Sequence, residues 1–194
     1  FVILPRALVS VKRIGEVLDT EASIKDGTLT AAPDGSPVGT VEFRHVSFKY
    51  PDASEYVLHD MSFKAERGQT VAFIGSTGSG KSTAINLVPR FYDATEGEVL
   101  VDGVNVKDYT LAALHDKIGY VPQRAVMFSG TVESNVAYGE KTGLEFDRDK
   151  VKEAVRVAQG KEFVEKMDGG YSAHIAQGGT NVSGGQKQRL AIAR

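Results

Sequence analysis

Gly75-Ser76-Thr77-Gly78-Ser79-Gly80-Lys81-Ser82 completes the pattern G-x-x-x-x-G-K-[ST], and it sits between an apolar run, TVAFIG, and a helical one, STAINLV. Glycines let a backbone turn with its N–H groups pointing inward. The result is a nest for phosphate oxygens at a helix N-terminus, where the helix dipole also favours negative charge. In such a loop Lys81 reaches the β- and γ-phosphates of a nucleoside triphosphate, and the Ser82 hydroxyl ligates Mg2+. Thr83 follows in the same turn of helix. The plain alternative is a Gly/Ser-rich strand-to-helix turn with a solvated lysine, and the strand and helix patterns on either side weigh against it. The loop does not separate kinases, switch GTPases and motor ATPases, which share it.

A second turn of similar chemistry closes the chain: TNVSGGQKQRLAIAR, residues 180–194. Ser183, Gly184 and Gly185 offer a hydroxyl and unobstructed backbone N–H groups at the start of a helical pattern. Ordinary N-capping by Ser183 explains the same residues, and the two roles are compatible.

The elements that must position these turns are legible as patterns. Leu4, Ala7, Leu8, Val11, Ile14, Val17 and Leu18 recur at spacings of three and four, which predicts an amphipathic helix. Residues 20–39, rich in Thr, Gly, Pro, Ser and Asp, read as a flexible linker, so the folded domain begins near Thr40. Val41/Phe43 and Val46/Phe48/Tyr50 alternate with a slip of phase near His45, which predicts a strand with a bulge. Met61, Phe63 and Ala65 mark a second strand. TVAFIG reads as a strand covered on both faces in a parallel sheet. GEVLVDG and KIGYVP are further strand candidates around the helical stretch TLAALHDK, and Asp102-Gly103 has hairpin-turn chemistry. Val151, Ala154, Val155 and Ala158 mark a helix, and KEFVEKM continues helically to a break at Gly169-Gly170.

The 194 residues suffice for one well-cored domain, and 21 glycines point to many turns. A formal net charge of −2 provides no global positive field, which argues against nucleic acid as the main partner. No cysteine is present, so disulfides and thiolate metal sites are excluded within the sequence. No apolar run approaches the ~20 residues that cross a bilayer. Phe1 and a last residue inside a helical pattern read as the cut ends of something longer.

FKYP, GSTGSGKST, GYVPQ, FSGTVESNVAYG and NVSGGQKQRLAIAR follow one another in the order of a known family. On these motifs the chain resembles the nucleotide-binding domain of an ATP-binding cassette (ABC) transporter, and more narrowly the exporter type, in which membrane helices and ATPase share a polypeptide. The resemblance covers nearly everything from Thr40 to Arg194. It implies an α/β P-loop ATPase fold with an antiparallel β subdomain and a helical subdomain. Residues 1–19 would be the helix that follows the membrane domain, 20–39 a linker, and 40–194 the ATPase domain, incomplete at its C-terminal end.

The resemblance also assigns roles. ATP and Mg2+ are the implied ligands, held by Gly75, Ser76, Thr77, Gly78, Ser79, Gly80, Lys81, Ser82 and Thr83. Tyr50 matches the aromatic that stacks on adenine, and a tyrosine ring is a rigid apolar face suited to a base, although burial is the commoner fate of a strand aromatic. Val57 would line the same pocket. Gln123 matches the glutamine that completes the Mg2+ shell or positions the attacking water, and the residues after it match the segment that receives the intracellular loops of the membrane domain. Ser183, Gly184, Gly185 and Gln186 match the signature turn, with Val182 where leucine is more usual. That turn is expected to face ATP bound by a second nucleotide-binding domain, so that two head-to-tail domains enclose two ATP molecules. Lys81 and Gln123 are the catalytic candidates, while the general base, the Mg2+-holding Asp and the switch histidine are expected beyond Arg194. Without the strand they belong to, apolar sheet surface is expected to be exposed and stability low. His45, His59, His115 and His174 read as structural or solvated. Two rivals share the motifs: a soluble ABC ATPase of an importer or repair complex, and the non-hydrolysing half of a heterodimeric transporter. The expected location is the cytoplasmic face of a membrane.

Overall fold

The computed structural model describes residues 3–139 and 146–194; of the expected connecting helix, residues 1 and 2 and the side chains at Leu4 and Ala7 lie outside that description. The chain divides into two compact units, Phe1–Gly119 and Tyr120–Arg194.

The first unit is built on a four-stranded antiparallel sheet. Its strands are β1 (Val41–Phe48), β2 (Leu58–Ala65), β3 (Glu96–Val101) and β4 (Val104–Asn105), in the order β2-β1-β3-β4. Phe43 opposes Phe63 and Val99, whereas the register shifts between Phe43 and Val46, where His45 takes a φ of 50°. The phase slip in the sequence is therefore a bulge, and it returns Phe43, Val46 and Phe48 to one buried face. Asp102 and Gly103, both at positive φ, form the tight turn between β3 and β4.

Helix α1 (Ile3–Leu18) exposes Leu8, Val11, Ile14, Val17 and Leu18. Helix α2 (Lys81–Leu87) buries Thr83, Ala84 and Leu87, and the short α3 (Leu111–His115) buries Leu114. Ala84, Leu87 and Leu114 join Phe43, Phe48, Val99 and Tyr109 in one core.

Two expected strands are corrected. Residues 70–75 and 117–122 form no strand, and no segment pairs with either among the described residues. Val71 is 43% and Ile74 96% exposed. An apolar run states a preference for burial, but a strand exists only where a neighbour takes up its N–H and C=O rows. Among the described residues β2 pairs with β1 alone.

The linker reading of residues 20–39 also changes in part. Gly27 N donates to Tyr109 O at 3.1 Å, Leu29 N to Asp108 O at 2.9 Å, and Thr110 N to Leu29 O at 2.8 Å. Asp26 Oδ1 accepts from Leu111 N at 2.6 Å, at the start of α3. A Cβ on Gly27 would lie 2.3 Å from Asp108 O, so only glycine admits this approach. Composition encodes mobility only while no partner segment takes up the backbone, and here residues 108–110 do.

The second unit packs helices α4 (Val132–Val136), α5 (Arg148–Val157), α6 (Lys161–Lys166) and α7 (Gly184–Ala193) around Met127, Val132, Val151, Val155, Val164, Ile175 and Leu190. A two-stranded ladder, β5 (Gly130–Thr131) with β6 (His174–Ile175), pairs the segment before α4 with the one between α6 and α7. Helix α4 has no forecast in the hydrophobic pattern. Its start is a capping box in which the Thr131 and Ser134 side chains each serve the other's backbone N–H.

Candidate functional site

The loop from Gly75 to Gly80 runs directly into α2, and Lys81 folds back over it. Lys81 Nζ donates to Gly75 O at 2.8 Å, Ser76 O at 2.7 Å and Ser79 Oγ at 3.2 Å. The ammonium thus gathers the carbonyls of its own loop, while the N–H groups of Thr77, Gly78 and Gly80 donate to no group among the described residues. Unpartnered donors, two of them on exposed residues, Thr77 and Gly78, and carbonyls neutralised by a cation are the arrangement that an incoming polyanion needs.

Gly80 is the point where the loop meets the sheet. It stands at φ 84°, and a Cβ there would lie 2.8 Å from Leu58 Cδ2 and 3.1 Å from Val57 O. This approach brings Val57 beside the Gly75–Gly80 loop. The Ser82 hydroxyl is exposed and makes no hydrogen bond among the described residues. It is a hard oxygen donor of the kind Mg2+ accepts. Among the described residues no group of three or more His, Cys, Asp or Glu is placed to hold a metal ion.

Tyr50 follows β1 and is half-buried. Its ring meets Phe48 edge-on at 5.0 Å and Tyr92 at 5.2 Å, and its hydroxyl lies 2.9 Å from Thr83 Oγ1, in the first turn of α2. The aromatic is thereby tied to the loop helix through a residue 33 positions away. Tyr50 also borders a cavity of about 610 Å3 lined by Phe48, Pro51, Phe91 and Tyr92, and no residue of the loop lines that cavity.

At the turn after β3, Asp102 and Lys117 form a partly buried ion pair at 2.8 Å, and Asp102 Oδ1 also accepts from Gly39 N and Thr40 N. Burial opposes ionisation of Asp102, but Lys117 and the two N–H groups outweigh it and hold the carboxyl below its ordinary range. The same pair holds the Lys117 ammonium above its usual value. These residues brace the turn after β3. Among the histidines, His45 Nδ1 lies 2.7 Å from Asp60 Oδ1 on the surface, and His115 Nε2 lies 2.9 Å from Pro89 O.

In the second unit Gln123 is exposed on an irregular stretch between residues 121 and 129. The stretch is held from below by Asn135, fully buried, whose Oδ1 accepts from Phe128 N at 2.8 Å and whose Nδ2 donates to Phe128 O and Thr131 O. Arg194 adds bonds to Asn135 O and Val126 O. Asn135 escaped the sequence reading because an isolated asparagine carries no local signal of the backbone it will satisfy.

The Ser183 turn opens α7 by a capping box: Gln186 Oε1 accepts from Ser183 N at 2.8 Å, and Ser183 Oγ accepts from Gln186 N at 3.3 Å. Val182 is buried in the core of the unit, so an apolar residue there anchors the turn. A Cβ at Gly184 or Gly185 would meet nothing within 4 Å, which leaves the helix end open to a ligand or a partner. The sequence-predicted residues therefore fall into two groups. Tyr50, Val57 and Gly75–Thr83 converge in the first unit. Gln123 and Ser183–Gln186 belong to the second.

Comparison with known proteins adds the following. The model of the family described as ABC transporter matches residues 58–194. An uncharacterized ABC transporter ATP-binding protein of Mycobacterium bovis is 46% identical over 192 residues, covering 99% of this chain and 33% of its own length. Another uncharacterized ABC transporter ATP-binding protein, of Bacillus subtilis, is 42% identical over 193 residues, covering 99% of this chain and 32% of its own. A bacterial Atm1-family ABC exporter solved with ATP bound superposes with a TM-score of 0.82 at 32% identity, over 97% of this chain and 32% of that one. The chain thus spans about a third of the length of each of these relatives.

Proposed function

This chain belongs to the ABC transporter family and is an ATP-binding domain of that family, and from that premise we propose that within the intact protein it binds ATP and takes part in the hydrolysis that drives export across a membrane, without hydrolysing ATP on its own. The observation that carries the reading is the phosphate loop itself. Lys81 is drawn over its carbonyls, N–H groups stand free at Thr77, Gly78 and Gly80, and Tyr50 is fixed to the same helix turn. The likeness to an exporter solved with ATP supports the choice of direction.

In this reading Gly75–Thr83 grip the phosphates, Lys81 neutralises charge on the β- and γ-phosphates, and Tyr50, with Val57 beside it, receives the adenine. Mg2+ would be held by Ser82 together with phosphate oxygens and would supply charge neutralisation when bound. Water adds to the γ-phosphorus as the bond from that phosphorus to the β–γ bridging oxygen breaks, giving ADP and inorganic phosphate. Gln123 positions the water. None of the described residues is assigned as the general base.

Ser183, Gly184, Gly185 and Gln186 act on the ATP of a second domain. Two domains close head to tail on two ATP molecules, and hydrolysis removes the charge that bridges them. The exposed stretch after Gln123 receives the intracellular loops of a membrane domain, and α1 is the connection to that domain. The whole lies at the cytoplasmic face. In the described residues no helix is long and apolar enough to cross a membrane.

Complementation tests the shared site. Lys81→Ala and Ser183→Arg each inactivate the intact protein alone, whereas mixed assemblies of the two variants contain one undamaged site and regain ATP hydrolysis. Mixed assemblies that stay as inactive as either variant contradict the head-to-tail sandwich. For coupling, Gln123→Ala that leaves both transport and ATPase activity unchanged removes that residue from the mechanism.

A further inference from the structure

We propose that Thr83 is a positioning residue for Tyr50, so that the base pocket and the phosphate loop are bound as one coupled unit; this rests on the reading of the site as an ATP site. Thr83 is 6% exposed, and its Oγ1 lies 2.9 Å from the Tyr50 hydroxyl. A buried hydroxyl needs a partner, and the Tyr50 phenol supplies it. Phe48 and Tyr92 meet the Tyr50 ring nearly perpendicular, at interplanar angles of 82° and 89°, and fix its tilt. Neither can fix how far the ring reaches toward α2. The hydroxyl bond does that, and it is made to the helix turn that begins at Lys81.

Two consequences follow from this arrangement. A phenylalanine at position 50 keeps the stacking face and loses the tether, so a hydroxyl that never touches the base still governs how the base is held. Displacement of the first turn of α2 by phosphate moves the Tyr50 ring with it, which links occupancy of the loop to the shape of the base pocket.

The test is a double-mutant cycle on the intact protein, with affinities measured for ATP and for inorganic tripolyphosphate, which has no base. Tyr50→Phe is expected to weaken ATP about five- to tenfold, the scale of one neutral hydrogen bond, and to leave tripolyphosphate unchanged. Thr83→Val is expected to weaken ATP by a similar factor beyond whatever it does to tripolyphosphate. The double variant is expected to be no worse than Thr83→Val alone, and Thr83→Ser, which keeps the oxygen, to restore ATP affinity. Thermal melting separates loss of folding from loss of positioning. Effects of the two substitutions that simply multiply, or a Tyr50→Phe variant that binds ATP as the parent does, overturn the proposal. A parent protein that binds neither ATP nor tripolyphosphate overturns the functional reading on which it stands.

Discussion

Lys117 Nζ lies 2.8 Å from Asp102 Oδ2, and the opposite oxygen of that carboxylate holds the N–H groups of Gly39 and Thr40. One side chain, 4% exposed, thus ties the entry to β1 to the turn after β3 and to the segment beyond α3. Asp102→Ala strands a partly buried ammonium and two backbone donors, and is expected to cost about 2–4 kcal/mol.

The same pair sets a pH dependence. The carboxyl of Asp102 is held low, so its contribution is full above the unfolded pKa of about 3.9 and disappears as pH falls through the lower folded value. Lys117 is held high, so its contribution is full below about 10.4 and disappears as pH rises through the folded value. Melting followed against pH is expected to show both limbs in the parent, and Asp102→Asn is expected to flatten them.

Gly80 and Gly78 both stand at φ 84°, but only Gly80 is pressed against Leu58 and Val57, while a Cβ on Gly78 would meet open space. Gly78→Ala is therefore expected to cost about 1 kcal/mol of backbone strain. Gly80→Ala adds a clash and is expected to displace the loop from β2. Nucleotide affinity should fall far more for Gly80→Ala, and equal losses count against this account.

Asn135 is 1% exposed and satisfies three backbone groups at Phe128 and Thr131. Asn135→Ala leaves these partly buried groups without that partner and is expected to lower stability by about 1–3 kcal/mol. Asn135→Asp presents an oxygen to two carbonyls and is expected to be at least as damaging, although it is nearly isosteric. Urea unfolding measures both.

Ser183 caps α7, and Ser183→Ala is expected to cost about 1 kcal/mol in stability. Ser183→Asp keeps the cap but sets negative charge where a phosphate is proposed. It is expected to retain stability and lose ATP hydrolysis in the intact protein, a split that capping alone does not produce.

The sequence carried the local features. The bulge at His45, the Asp102-Gly103 turn, the faces of β1 and β2, and helices α5 and α7 follow from periodicity and turn chemistry within a few residues. The glycines of the loop and the Ser183 turn were equally plain. What escaped depends on partners distant in the chain: the tether of Tyr50 to Thr83, the anchoring of Gly27–Leu29 on Asp108–Thr110, and the support of Asn135 under Phe128. The run at 70–75 failed in the other direction. Its composition asks for a covered strand, and pairing, which a run of apolar residues cannot encode, is absent among the described residues.

ATP binding to the parent and to Lys81→Ala tests the central claim most directly. Lys81 makes its three contacts within the loop, outside both hydrophobic cores, so the substitution is expected to leave melting unchanged. The parent should bind ATP in the presence of Mg2+, and Lys81→Ala should weaken that binding about ten- to a hundredfold, the scale of a charged hydrogen bond. A parent that does not bind ATP, or a variant that binds it as tightly, contradicts the account.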